Sequence, residues 1–371
     1  MISDFYYLDY NATANMHPEV LSLMTKALDT FWANDSSPHE LGRRSLMQVD
    51  YARQRVAKLV KCEPRKVRFT SGATESNNWI LQSLRLMHAH SQPKTLVSAI
   101  EHPSVYELGD LFIPIQNNGI VDLDALENLI IENHDEIAVV SVMAANNETG
   151  ILQPISDMYQ LCKEHKIPFH TDASQVYGKI DLDIDADFIT LSAHKMGGPK
   201  GIGALIVNQE ILPFLKGGPQ ERESRAGTSN VPSIMAFGLA AEIASQGCIS
   251  NQLQQKIEAM LENVGATILG KNVPRLPNTT CAIISDIPGD VIVAGFDLKK
   301  IYISTGSACS SGSHKQSHVL AAMQCFGSPI RISYGPEYNS PSNEFLSYFE
   351  NTLHSIIQGS TDENLDDWDF F

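Results

Sequence analysis

From about residue 65 to residue 207, short apolar runs alternate with stretches of helical periodicity. The runs are "KVRFT", "TLVSAI", "IAVVSVM", "IPFHTD", "DFITLS" and "GALIV". Most are rich in Val and Ile, as buried strands of a largely parallel sheet are. Between them the spacing predicts helices over 75–87, 122–131 and 155–165. This alternation constrains the chain to an α/β layered domain. Ligands of open α/β sheets gather beyond the carboxyl ends of the strands. The residues just after each run are therefore the first candidates for a site.

Those residues carry chemistry, and each also has an ordinary structural explanation. After "KVRF" comes "TSGATES", where Gly72 and small neighbours lead straight into a helix. A helix N-terminus of this kind binds phosphate through free N–H groups and the helix dipole, with Thr74 adding a hydroxyl. The same stretch is also read as a plain cap, with Ser or Thr at the N-cap and Glu75 in the first turn. His102 follows "TLVSAI" within "EHPSV", placed to lie over a planar ligand or simply to bond locally. Asn146, Asn147 and Gly150 in "AANNETG" fit a turn. Asp172 ends "IPFHTD", and a carboxylate there needs a partner, because an unpaired buried charge is costly. Lys195 follows "DFITLSAH"; a desolvated lysine forms a Schiff base, whereas an exposed one is a loop residue. The glycines of "GGPKGIG" precede a strand rather than open a helix, which argues against a dinucleotide loop. Taken together, a phosphate cradle, an acid, a lysine and a histidine at the strand ends of one sheet form the set required by pyridoxal phosphate.

Length bears on domain organisation. At 371 residues the chain exceeds the usual size of one core. The texture changes near residue 232, where "PSIMAFGLAAEIA" and "NQLQQKIEAMLENV" read as helices, followed by "CAIISDI" and "IYIS". The expected layout is a large domain over 16–249 and a smaller α+β domain formed by 1–15 with 250–371. A net charge of −16 argues against direct nucleic-acid binding, which needs clustered Lys and Arg. No apolar run approaches the ~20 residues of a membrane helix. "MISDFYYLDY" lacks the pattern of a signal peptide, so no membrane association and a cytoplasmic location are expected. The acidic end, "STDENLDDWDFF", reads as a frayed tail.

Six cysteines occur without a CxxC pair or metal-ligand spacing, so no metal site is expected. Cys162 and Cys281 lie in apolar contexts and read as packing residues. Cys309 differs, because "ISTGSACSSGS" can bury almost nothing around it.

The chain resembles the cysteine desulfurases, within the class V aminotransferase group of fold-type I pyridoxal-phosphate enzymes. The likeness runs from "YLDYNATAN" to "IRISYG" through "SSPHELG", "FTSGATESNN", "EHPSV", "NNETG", "HTDASQ", "SAHKMGGPKGIGAL", "RAGTSNV" and "STGSACSSGS". It implies that Lys195 carries the cofactor and that Asp172 pairs with the pyridine nitrogen. His102 would stack on the ring and move protons. Gln175 and Asn147 would contact the ring hydroxyl, with Ala73, Thr74, Ser192 and His194 around the phosphate. Thr228 would reach the phosphate of a neighbouring subunit, which implies a homodimer. Arg331 would clamp the substrate carboxylate, with Asn147 and Asn34 beside the substrate. Cys309 would be the nucleophile, taking sulfur from L-cysteine as a persulfide and leaving alanine. An acceptor protein would receive the sulfur for iron–sulfur cluster assembly or tRNA thiolation. The alternatives are another class V enzyme, such as an aminotransferase or a selenocysteine/cysteine lyase, and a catalytically silent binding partner. Transamination has no need of a loop thiol, and a silent partner predicts lost cofactor residues.

Overall fold

The computed structural model describes residues 5–90, 92–285, 287–306 and 317–361. A seven-stranded sheet runs in the order Val67–Thr70, Gly203–Val207, Phe188–Ser192, Phe169–Asp172, Ile137–Ser141, Lys94–Ser98, Leu111–Ile113. Neighbours pair in parallel except at Gly203–Val207, which is antiparallel on both sides. Every apolar run named above is a strand of this sheet. The interior strands Ile137–Ser141 and Phe188–Ser192 are buried along their whole length, the consequence of helices on both faces. The edge strand Leu111–Ile113 is too short to show a pattern, and its Phe112 is exposed.

The predicted helices lie at Ala73–Met87, Leu123–Asn133 and Ile155–Glu164. Asp122 N-caps the second, accepting from Ala125 N at 3.0 Å. The Ala73–Met87 helix packs on the Ile137–Ser141, Phe188–Ser192 and Gly203–Val207 strands, burying Trp79, Ile80 and Leu84. Val231–Ala244 is apolar nearly all round and is covered by the helices Pro18–Thr30 and Glu40–Leu59. Its Gly238 is required by that contact, since a Cβ there would stand 2.6 Å from Ala52 Cα.

The C-terminal part forms a three-stranded antiparallel sheet, with Thr279–Ile283 between Pro329–Ser333 and Thr267–Ile268. Tyr6–Tyr7 joins this part by pairing in parallel with Ile301–Tyr302. Leu8, Leu253, Ile257, Phe296, Ile332 and Phe349 belong to its core. Cys281, Val319, Leu320 and Met323 pack instead with the core of the large sheet. Contacts therefore cross the expected boundary at residue 250. Cys162 and Cys281 are buried free thiols in that same core, as their contexts suggested. Among the described residues no helix is long and apolar enough to cross a membrane.

Candidate active site

The carboxyl ends of the strands open into a cleft of about 780 Å³. Thr70 ends the first strand, and Gly72 serves as N-cap of the Ala73–Met87 helix without any side-chain cap. The Ser or Thr cap allowed by the sequence is therefore not formed. The first N–H groups of the helix are left for a ligand, because Thr74 is in the first turn and no cap side chain covers them. Gly203 makes this turn possible. A Cβ on it would stand 2.6 Å from Leu191 O and 2.8 Å from Gly72 Cα. Glu75 is fixed in the same turn by Arg225, Nε to Oε1 at 2.7 Å and Nη2 to Oε2 at 3.0 Å. This bidentate pair ties the helix start to the "RAGT" segment.

Asp172 ends its strand 6% exposed. Its Oδ2 accepts from Asn77 Nδ2 at 2.8 Å and its Oδ1 from Ser174 N at 2.9 Å. The second N–H of Asn77 Nδ2 reaches Ser104 Oγ at 2.9 Å, and that oxygen lies 2.8 Å from His102 Nδ1. His102 N-caps the Pro103–Tyr106 turn, with Ser104 N donating to Nδ1 at 3.2 Å. Nδ1 is thus an acceptor, and the neutral ring carries its proton on Nε2. Burial lowers the basicity of the ring, against the opposing pull of Asp172. Beneath Asp172, His170 is buried and held by Ser141 Oγ at 2.8 Å and Thr190 Oγ1 at 3.0 Å.

Lys195 closes a tight turn, Ala193–Lys195, after the Phe188–Ser192 strand. Its Nζ donates to Asn11 O at 2.5 Å and Ala12 O at 2.9 Å. His194 bonds Thr13 Oγ1 at 3.1 Å, and burial pushes its ring down to about 4, with Lys195 and Lys200 adding to the shift. It stays neutral near pH 7 and offers hydrogen bonds rather than charge. Arg331 is 1% exposed. It donates from Nη2 to Asp9 Oδ1 at 2.6 Å and from Nη1 to Asn147 O at 3.1 Å. Its Nε is buried with no partner among the described residues, so the guanidinium keeps an open donor.

The class-V aminotransferase family profile matches residues 6–341. The chain belongs to this family. Within it the chain is a cysteine desulfurase relative at high coverage. It is 35% identical to the cysteine desulfurase IscS of Methanosarcina thermophila over 89% of this chain and 85% of that protein. Among solved structures, a NifS-like protein superposes with a TM-score of 0.87 at 32% identity, covering 96% of this chain and all of that one. SspA in complex with cysteine superposes at 0.78 with 30% identity, covering 89% and 99%.

In this member of the class-V family, Ala73, Thr74, His102, Asn147, Asp172, Gln175, Ser192, His194, Lys195 and Arg331 all line a single cleft. Asn34 lies outside this cleft. Its Oδ1 accepts from Ser36 N at 2.9 Å in a turn ahead of the Glu40–Leu59 helix, and it lines a separate hollow with Trp32 and His39. Thr228 is exposed and outside the cleft of its own chain. Cys309 lies outside the described residues.

Sequence reasoning passed over Asn11, Asn77, Glu101, Glu148, Lys200 and His318, which line or brace the cleft. Asn11 and Asn77 lie inside segments already singled out, but their spacing carries no signal of its own. Glu101 is 1% exposed, its Oε1 accepting from Met143 N at 2.7 Å and from Ser98 Oγ, its Oε2 without a partner among the described residues. Burial pushes its carboxyl from 4.5 up to about 8. The folded state therefore keeps a proton that the unfolded chain releases between these values. Its contribution to stability is fully present below pH 4.5 and is lost as pH rises through 8. Glu101→Gln keeps both accepted hydrogen bonds and cannot ionise. Thermal scans are expected to show no gain near pH 5 and a gain of about a few degrees in Tm at pH 8. A difference that does not change with pH would show that Glu101 is ionised in the fold.

Proposed function

We propose that this protein removes sulfur from L-cysteine, leaving alanine, with pyridoxal phosphate held in the cleft. One observation carries the reading. Lys195, Asp172, His102 and an uncapped helix N-terminus converge on a single cleft in a chain of the cysteine desulfurase family. The likeness to SspA, a protein solved with cysteine, supports the substrate.

The donor set fits the cofactor. The free N–H groups at Ala73 and Thr74, with Ser192 and the neutral His194, would hold the phosphate. Asp172 keeps lone pairs beyond those used by Asn77 and Ser174, free for a protonated ring nitrogen. His102 would cover the ring, with Gln175 and Asn147 near the ring hydroxyl. Lys195 would hold the aldehyde covalently. Arg331, which lines the cleft, would take the substrate carboxylate. Bound there, the cofactor supplies an electron sink that weakens the carbon–sulfur bond of the substrate.

Cys309, as thiolate, would attack the substrate sulfur. The new bond joins its Sγ to that sulfur, the carbon–sulfur bond breaks, and the product carbon takes up a proton. His102 holds a proton at Nε2, because Nδ1 is occupied by Ser104. In this tautomer the ring gives a proton rather than takes the one on Cys309. The persulfide sulfur would pass to an acceptor protein serving iron–sulfur cluster assembly or tRNA thiolation. The test is incubation with pyridoxal phosphate, L-cysteine and a reducing thiol. Equimolar alanine and sulfide would support the reading, and a yellow protein that makes neither would remove it.

The proposal extends to a homodimer. Leu21, Leu28, Trp32, Leu46, Met47 and Tyr51 are large apolar side chains exposed on neighbouring helices and the turn between them, Trp32 at 72%. Such a surface favours burial against a partner. Thr228 lies beside it, since Ser229 Oγ donates to Asp35 Oδ2 at 2.6 Å. Thr228 would then reach the neighbouring subunit's phosphate. Light scattering is expected to give a dimer, and Trp32→Glu to shift it toward monomer with weaker cofactor retention. A wild-type monomer that holds the cofactor tightly would sink this part.

A further inference from the structure

Lys179 is a fully buried lysine to which the reading above gives no role. It does not line the cleft, and no carboxylate is among its partners within the described residues. Its Nζ donates to Asn11 Oδ1 at 2.7 Å and to Gln175 Oε1. Burying an amine without an acid is costly, so a sequence rarely keeps one where an apolar side chain would pack. Burial lowers its basicity well below the ordinary range, with Lys195 and Arg331 as the charged groups that face it and add to that direction.

The two bonds determine the orientation of two amides. An amide on Gln or Asn can be turned either way, and only its partners decide which end is oxygen. A lysine amine with two oxygens as partners donates to both. Gln175 must therefore turn its oxygen to Lys179. Its Nε2 is left for Asn11 O at 3.0 Å and has one further N–H on a side chain that lines the cleft. Asn11 must likewise turn its oxygen to Lys179, leaving Nδ2 for Thr279 Oγ1 at 2.9 Å and Asn147 O at 3.2 Å. Asn11 O also accepts from Lys195 Nζ. The Asn11 and Asn147 carbonyls and one buried amine thus together set the polarity of the two amides, and the amine anchors the residue whose carbonyl meets the cofactor lysine.

We propose that Lys179 is a positioning residue of the cofactor cleft, presenting Gln175 to the ring oxygen of the cofactor as a hydrogen-bond donor and holding the Asn11 carbonyl against Lys195. The inference rests on the pyridoxal-phosphate reading. Without Lys179 the Gln175 oxygen is left buried with no donor, and the amide is no longer held with its remaining N–H toward the cofactor. A cofactor whose anionic ring oxygen loses a donor binds its proton more tightly.

The test uses the visible band of the bound cofactor in the full-length protein, titrated with pH, together with cofactor affinity by equilibrium dialysis. Lys179→Met is expected to raise the midpoint of the band by about one pH unit and to weaken affinity about tenfold. In a Gln175→Met background the same substitution is expected to move the midpoint by much less, because the two act as one unit. An unchanged midpoint, or an equal shift in both backgrounds, would overturn the proposal. A fall in Tm without a midpoint shift would also overturn it and leave Lys179 a packing residue. If Lys179→Met does not fold, Lys179→Gln keeps an N–H donor for one of the two oxygens. An intermediate midpoint is then expected, and a wild-type midpoint would overturn the proposal. A wild-type chain that takes up no cofactor would instead overturn the reading of the cleft, and the proposal with it.

Discussion

Lys195→Ala is expected to cut alanine formation from L-cysteine by at least about 10³-fold and to abolish the visible band of the bound cofactor. The position explains the size of the effect. Lys195 ends a tight turn after an interior strand, and its amine is held on the Asn11 and Ala12 carbonyls. His102, Asp172 and the helix start converge on the same cleft. The substitution removes hydrogen bonds from one loop and leaves the sheet intact, so Tm should change by about a few degrees at most. Lys200 also lines the cleft and is the competing amine. A band that survived Lys195→Ala but vanished with Lys200→Ala would move the cofactor linkage there and overturn the assignment.

Cys309→Ala is expected to lower sulfur transfer by a similar factor while leaving the visible band in place. The two variants therefore separate cofactor binding from sulfur chemistry. Thiolate is the reactive form of cysteine, and thiols buried in apolar surroundings are poor sources of it. Burial pushes Cys62 up to about 11 and both Cys162 and Cys281 up to about 12. None of these is suited to replace Cys309. Cys62→Ala serves as the control and should keep full activity. Mass spectrometry after reaction with L-cysteine should find one added sulfur on the peptide holding Cys309. Undiminished sulfide from Cys309→Ala would refute the proposed nucleophile.

Much of the fold was legible because parallel strands covered on both faces are written as continuous apolar runs. "IAVVSVM" and "DFITLS" could be read without any knowledge of their neighbours, and both became wholly buried strands. The edge strand Leu111–Ile113 and the helix Glu40–Leu59 were not read. The first is short and half solvated. The second carries a polar face that dilutes its periodicity. The candidate site was legible where a chemistry-bearing residue follows such a run, as do Asp172 and Lys195, which both line the cleft. Asn34 lies away from the cleft of its own chain, where its side chain bonds back onto Ser36 N, and a short motif does not record such a placement.

By itself the sequence determined the alternation of strands and helices, the sheet ends that bear chemistry, and the identity of the acid, lysine, histidine and loop cysteine. These are local properties, set by periodicity and by what a side chain can do. Only the tertiary structure decided that Gly72 rather than a hydroxyl residue caps the first helix, that Ser104 fixes the proton of His102 on Nε2, and that Asn77 joins Asp172 to that pair. It alone brought Lys179, Asn11 and Gln175 into one network across 168 residues of chain. Hydrogen bonds between distant residues depend on how elements pack, and no pattern along the chain records which donor will meet which acceptor.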